Sequence, residues 1–252
     1  MKLKILLFSL LLLIIESNFA QNNYDEIKTT NGVLKIYPIQ HASLVLSHNN
    51  KIIIVDPNEN SEFYKNFKSP DIILITDIHG DHLNLETLDK IDTSKSIFIV
   101  PNAVAEKLPS KYNSKIIVLK NKQGIHRFNY FIQAVPMYNL PEESNSKHPK
   151  GRGNGYILNI DNKRIYISGD TEDTTEMRSL QNIDIAFVCM NLPYTMDIYQ
   201  ASSAVLEFQP KIVYPYHYRG KDGLSDVKKF KEMVNSKNSN IKVNLRDWYG
   251  TN

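Results

Sequence analysis

Within the stretch Thr76-Asp77-Ile78-His79-Gly80-Asp81-His82, four side chains can ligate a metal ion. Imidazole nitrogens suit zinc, iron or nickel, and carboxylates also admit manganese. The stretch follows Asp71-Ile72-Ile73-Leu74-Ile75, an apolar β-branched run that reads as a strand buried on both faces. It precedes Leu83-Asn84-Leu85-Glu86-Thr87-Leu88, which opens a helical pattern. It is therefore a strand-to-helix loop, and so many ionisable groups beside a buried strand are costly unless a cation compensates them. Gly80 is expected to let the backbone turn tightly there. A lone His-x-Asp is commonly a surface turn or a helix cap. Here two further apolar strands deliver ligand-competent residues: Ile165-Tyr166-Ile167 runs into Ser168-Gly169-Asp170, and Ile212-Val213-Tyr214-Pro215-Tyr216 runs into His217. Sheet proteins gather ligands and catalytic groups at the carboxyl ends of strands, so all three sets can converge.

The elements that must position these residues follow from periodicity. Residues 24–31 are polar and expected to be loosely held. Strands are expected over 33–39, 43–47 and 52–56, with a hairpin turn at His48-Asn49-Asn50-Lys51, then a short helix over 63–67. From 71 to 119 the order is strand, helix (83–91), strand (97–100), helix (101–108), strand (116–119), the signature of a sheet with crossover helices. The second half opens with a strand over 126–138 and a loop over 139–154 rich in Pro, Gly, Ser and charge. Loops of that length in compact domains are often functional. A hairpin (155–160 and 164–168), a helix (175–180), a strand (183–190), an amphipathic helix (198–208), a strand (211–216), a helix (225–234) and a strand (241–245) complete the chain. Both halves read as meandering strands followed by strands alternating with helices. An α/β (α+β) fold of four layers, two mixed β-sheets flanked by helices in an αββα sandwich, accounts for both.

As a set these residues resemble the metallo-β-lactamase superfamily, whose motif is His-x-His-x-Asp-His, then a loop His, a Gly-Asp after a strand, and a final His. The resemblance runs over residues 33–245 in element order. It is nearest to the lactonase and phosphodiesterase-like branch, through Gln40-His41-Ala42-Ser43, Ser168-Gly169-Asp170-Thr171 and Tyr214-Pro215-Tyr216-His217. It implies a metallo-β-lactamase fold and a dinuclear site, with His79 on the first metal, Asp81, His82 and His217 on the second, and Asp170 bridging. The family's loop histidine must fall between Tyr138 and Tyr156, where His148 is the only histidine, although Asn139 stands where that ligand is usual; an exposed loop histidine is the other reading of His148. The departure is Asp77, where the family usually has histidine. A carboxylate is still a sound zinc ligand and tilts the site toward manganese or iron. Two divalent cations set against Asp77, Asp81, Asp170 and a bridging hydroxide sum to zero, whereas a histidine would leave one positive charge. Activity is therefore expected to rise toward alkaline pH and to shift to lower pH in Asp77→His. The rival reading is that Asp77 marks loss of one metal or of catalysis.

The chemistry so implied is hydrolysis of an ester, lactone, amide or phosphodiester bond in a small-molecule or lipid-derived substrate. Two divalent ions, Zn2+ first and Mn2+ or Fe2+ next, would polarise the scissile group and supply hydroxide, with Asp81 or Asp170 steering the proton. Lys147, Lys150 and Arg152 are placed to receive an anionic group, or form a solvated charge run. Tyr194 and His41 are weaker candidates that packing or a hydrogen bond to a ligand explains equally well. Two further classes compete: a metal-binding protein of the same fold without turnover, motivated by Asp77, and a redox diiron protein. The latter branch prefers glutamate where His79 stands and is usually joined to a flavin domain. β-Lactam hydrolysis is compatible with export, but fold resemblance does not establish it.

The 252 residues, 42% hydrophobic and 23% charged, suffice for one or two globular domains with ample core. Residues 1–20 stand apart, with Lys2 and Lys4, an apolar run over 5–15, and Glu16-Ser17-Asn18-Phe19-Ala20 before polar Gln21. That is the layout of a secretory signal peptide cleaved near Ala20, an uncleaved anchor being the alternative. The remainder, 21–252, is the metallo-β-lactamase-like domain, expected in the periplasm or secreted, with no stable membrane span. Losing Lys2, Lys4 and Glu16 takes the formal charge from +3 to +2, too mild to argue for nucleic acid. Cys189 is the only cysteine and lies in an apolar run, so a buried free thiol is expected.

Overall fold

A computed structural model describes residues 23–250, so the leader assigned to residues 1–20 lies outside the described residues. In the first half, β1 (Asp25–Thr29), β2 (Gly32–Gln40), β3 (Ser43–His48), β4 (Lys51–Val55), β5 (Ile72–Leu74), β6 (Ile97–Val100) and β7 (Ile116–Val118) lie side by side in chain order. The pairings from β1 to β4 are antiparallel and those from β4 to β7 are parallel. Crossovers in the parallel part carry α1 (Leu85–Lys90) and α2 (Asn102–Ala105). Period-two alternation sorts each strand between two cores. Ile72 and Leu74 face the second sheet, while Ile73 and Ile75 pack with Leu88 and Val104 on the helical side.

The second half repeats the plan. It contains β8 (Gly124–Arg127), β9 (Tyr130–Met137), β10 (Gly153–Ile160), β11 (Lys163–Ile167), β12 (Ile185–Cys189) and β13 (Ile212–Tyr216). A small hairpin, β14 (Arg219–Gly220) and β15 (Gly223–Leu224), precedes the closing strand β16 (Lys242–Val243), which pairs with β13. Pairings are antiparallel from β8 to β11 and parallel from β11 onward. Helices α3 (Thr175–Arg178), α4 (Ile198–Phe208) and α5 (Val227–Lys237) cover this sheet. In α4 an Asp197/Gln200 capping box fixes the start, and Ala201, Ala204, Val205 and Phe208 form the buried stripe. The result is the four-layer αββα sandwich. No helix among the described residues is long and apolar enough to cross a membrane.

Several local expectations are corrected. Residues 126–138 are not one strand but a hairpin, β8 and β9, turning at Phe128 and Asn129 with φ of +52° and +68°. The polar segment after Tyr24 forms the edge strand β1. The expected helix over 63–67 is a 3-10 turn, Ser61–Tyr64. The long loop ends at Arg152, because Gly153 and Asn154 already pair with β9. Gly80 is not required by its conformation, since its φ is not positive and a Cβ there would meet nothing. The glycine that matters is Gly169, whose φ is +61° and whose Cβ would run into Met137 and Thr76, so the two sheets approach through it. There Asn154 N donates to Thr76 O at 2.9 Å, and Tyr156 OH donates to Ile75 O at 3.0 Å. These ties pin the loop after β5 to the opposite sheet, beside the carboxyl ends of β11 and β13.

Candidate metal centre

Residues 76–82 leave β5 and turn at once: the backbone N–H groups of His82 and Leu83 both donate to His79 O, at 3.0 and 2.8 Å. That turn aims Asp81 and His82 at Asp170 from the end of β11 and His217 from the end of β13. Their ligand atoms lie within 4.8 Å of one another. His82 Nε2 is 3.3 Å from Asp170 Oδ2, 3.3 Å from His217 Nε2 and 3.8 Å from Asp81 Oδ1. His217 Nε2 is 3.1 Å from Asp170 Oδ1 and 3.3 Å from Asp81 Oδ2. Ligand atoms about 2.0–2.1 Å from a tetrahedral ion are separated by about 3.3–3.4 Å. The imidazole nitrogens and carboxylate oxygens of the set thus stand 3.1–3.8 Å apart, around the separation that ligands of one ion require. Asp170 Oδ1 and His148 Nε2 are buried and form no well-aligned hydrogen bond, although each has a group of this centre 3.1 Å away, a condition that a cation between them would relieve.

Electrostatics agree. Burial works against a charged Asp170, yet His217 and His82 hold its carboxyl well below the usual range. For Asp81, too, burial is outweighed, by His82 and by hydrogen bonds from His217 and His41. Burial opposes charging of His82, but Asp170, Asp56 and Asp81 together raise it well above the imidazole range. Such a pocket attracts positive charge.

Asp56, at the end of β4, is a site residue that the sequence did not single out. It is fully buried and takes Thr76 N at 2.7 Å, Thr76 Oγ1 at 2.6 Å and His82 Nδ1 at 2.9 Å. A carboxylate only accepts, so His82 holds a proton on Nδ1 toward Asp56, and Nε2 is the nitrogen that a cation at the centre would engage in exchange for its proton. Asp56, His41 and His217 all have positive φ, at +46°, +54° and +48°. Non-glycine residues held in that region cluster at functional sites.

The second group is Asp77, His79 and His148. His148 is buried, not an exposed loop histidine, and its Nε2 is 3.1 Å from Asp170 Oδ2, so Asp170 faces both groups. Asn139 holds it: Asn139 Oδ1 accepts His148 N at 2.8 Å and lies 3.1 Å from Nδ1. The residue standing where a loop ligand was expected thus holds His148 in place. Asp77 is engaged otherwise than expected. Arg152 donates Nε to Asp77 Oδ1 at 3.1 Å and Nη2 to Oδ2 at 2.8 Å, and His79 Nδ1 lies 2.7 Å from the same Oδ2. Arg152 is therefore a partner of Asp77, not the free substrate-binding cation that its loop position suggested. It also returns the positive charge that the Asp77 substitution removed, which withdraws the basis for an alkaline-shifted activity.

The other rim candidates divide. Lys150 is committed to Glu142 (2.7 Å), Glu176 (3.4 Å) and Tyr138 OH (3.3 Å), so it too is not a free anion receptor. Lys147 Nζ lies 5.3 Å over the Tyr194 ring, and Tyr194 O accepts from Asn139 Nδ2 at 2.8 Å, which joins this pair to the His148 support. His41 Nε2 is 3.3 Å from Asp81 Oδ2, and its Nδ1 is 2.8 Å from Tyr249 OH.

A model of the β-lactamase superfamily domain matches residues 35–217, a span that contains both groups and Asp56. The chain belongs to the metallo-β-lactamase superfamily. Among solved members, it is similar to a candidate metal-dependent hydrolase from Parabacteroides distasonis, with 41% identity over 90% of this chain and 99% of that one and a TM-score of 0.80. A metallo hydrolase from Ignicoccus hospitalis, 23% identical, shares the fold over 85% of this chain and 95% of its own at a TM-score of 0.72. A metal-dependent hydrolase from Pyrococcus abyssi is 29% identical over 218 residues, 81% of this chain and 94% of the relative.

Proposed function

We propose that this metal-dependent hydrolase of the metallo-β-lactamase fold cleaves an ester, lactone, amide or phosphodiester bond in a small-molecule or lipid-derived substrate, at a centre for two divalent ions. The observation that carries the reading is the spacing of Asp81, His82, Asp170 and His217, with His148 facing them across Asp170. When bound, such ions, Zn2+ first and Mn2+ or Fe2+ as alternatives, supply Lewis-acid polarisation of the scissile group and an acidified water.

The chain's own groups handle position and protons. Asp81 is 37% exposed at its side chain against 4% for Asp170, so Asp81 is the carboxylate placed to pass a proton from the nucleophile to solvent. Burial pushes His41 down to about 4, so its ring is neutral. Its Nε2–H then donates to Asp81 and its Nδ1 accepts from Tyr249 OH, which fixes the Asp81 carboxyl against the centre. Lys147 and Tyr194 are the substrate contacts that remain once Lys150 and Arg152 are paired. The leader pattern of residues 1–20 supports export to the periplasm or medium, and amino-terminal sequencing of the released protein should begin just after Ala20.

The test is metal content of the mature protein, purified without chelators, beside a hydrolysis panel of ester, lactone, amide and phosphodiester substrates. Wild type should retain metal and hydrolyse a member of the panel, while Asp170→Ala should lose both. Wild type without metal overturns the proposal. Metal without hydrolysis favours a binding protein of the same fold, the reading to which the Arg152–Asp77 fork lends weight.

A further inference from the structure

The two ligand groups are not equivalent. In the Asp81, His82, Asp170 and His217 group the two carboxylates pair only with imidazoles, whose protons an ion can replace, and Asp56 backs His82. The Asp77, His79 and His148 group encloses a permanent cation: the Arg152 guanidinium, which forks onto both oxygens of a fully buried carboxylate. A buried Asp77 without a partner would be costly, and the fork removes that cost in the absence of an ion. Arginine does not lose its charge, so it also repels any divalent ion that approaches Asp77. Geometry points the same way. Asp77 Oδ2 already accepts from Arg152 and stands only 2.7 Å from His79 Nδ1, a direct hydrogen bond, while His148 Nε2 is 4.0 Å away. These separations, 2.7 and 4.0 Å, depart further from the tetrahedral edge of about 3.3–3.4 Å than the 3.1–3.8 Å of the first group.

We propose that Arg152 is a built-in counter-cation at the Asp77 position, so that the centre fills in sequence: the Asp81, His82, Asp170 and His217 position first and tightly, the Asp77, His79 and His148 position second and weakly. Arg152 sets the interval between the two affinities. The inference rests on the metal-dependent reading above and concerns only how the metal is taken up.

The experiment strips the mature full-length protein with chelator, then titrates it with zinc chloride alone, following heat and bound metal. Wild type should show two steps, the second about 10- to 100-fold weaker, the range over which groups around a ligand tune affinity. Arg152→Gln should strengthen the second step about tenfold and leave the first unchanged. Arg152→Lys keeps the charge without the fork and should keep the steps apart. Asp77→Asn should retain the first step and lose the second. Should Arg152→Gln fail to fold, the double variant Asp77→His/Arg152→Gln restores a neutral pair and should fill both positions together. Two equal steps in wild type, an unchanged interval in Arg152→Gln, or a second step surviving in Asp77→Asn each overturn the proposal. So does staged filling in the double variant. No bound zinc in wild type overturns the metal-dependent reading itself.

Discussion

The residues that gather at the candidate centre were legible because type and spacing carry the signal: Asp77, His79, Asp81 and His82 sit in one loop, and Asp170 and His217 each end an apolar strand. Their supports were not legible, because each acts across the fold. Asp56 reaches His82 over 26 residues and Arg152 reaches Asp77 over 75, and nothing local at either end announces the pair. Asp56 supplies a prediction at this scale. In Asp56→Asn the amide must face three donors, Thr76 N, Thr76 Oγ1–H and His82 Nδ1–H, with one acceptor oxygen, so at least one contact sets donor against donor. His82 then loses its fixed tautomer. Zinc affinity of the tight position should fall about 10- to 100-fold in chelator competition. Unchanged affinity would show that Thr76 alone orients the ring.

At the scale of elements, strands with continuous apolar runs were plain, and the misreadings fell where tertiary context overrides local preference. The turn at Phe128-Asn129 places a bulky aromatic at positive φ, against the usual Asn or Gly, so the sequence gives no sign of a hairpin there. The edge strand β1 buries little beyond Ile27 and reads as polar coil, yet it is held by its turn. That turn lies at the end of the sandwich away from the metal centre, since β2 and β11 both run from it toward site residues. It meets the β10–β11 turn at Asp161, which accepts from Thr29 Oγ1 at 2.9 Å and from Asn31 N and Nδ2, each at 2.7 Å. Asp161→Ala should lower the melting midpoint by about 2–8 °C through these lost hydrogen bonds. Metal content should not change. Hydrogen bonds from Asn31 hold the Asp161 carboxyl below the usual range, so the tie stabilises above the ordinary aspartate pKa. Its contribution fades as pH falls through the depressed value, and the difference between wild type and variant should shrink in acid.

For the whole molecule, the repeated half-chain order predicted two sheets with helices outside, because four layers are the way to bury strands that are apolar on both faces. What the pattern did not convey is how many hydroxyls the interior encloses. Tyr130, Tyr156, Tyr166, Tyr216 and Cys189 are buried in the main core, and Tyr64 is buried in a smaller cluster with Val45, Ile54 and Ile91. Burial pushes Tyr64 and Tyr130 up to about 12 and Cys189 up to about 11, and raises Tyr156, Tyr166 and Tyr216 still further. In the unfolded chain the same groups ionise near 10 for tyrosine and near 9 for cysteine. Below about pH 9 they are neutral in both states and stability does not depend on them. Above it the unfolded chain releases protons that the native core retains, so stability falls as pH rises toward 12. The denaturant midpoint should therefore be flat between about pH 7 and 9 and drop beyond about pH 10. In an alkaline titration, tyrosinate absorbance from the buried rings should appear in one steep step, together with loss of far-ultraviolet circular dichroism and with alkylation of Cys189. Gradual ionisation of all 14 tyrosines with the fold retained would mean that the core admits hydroxide, and would remove burial as the source of the shifts.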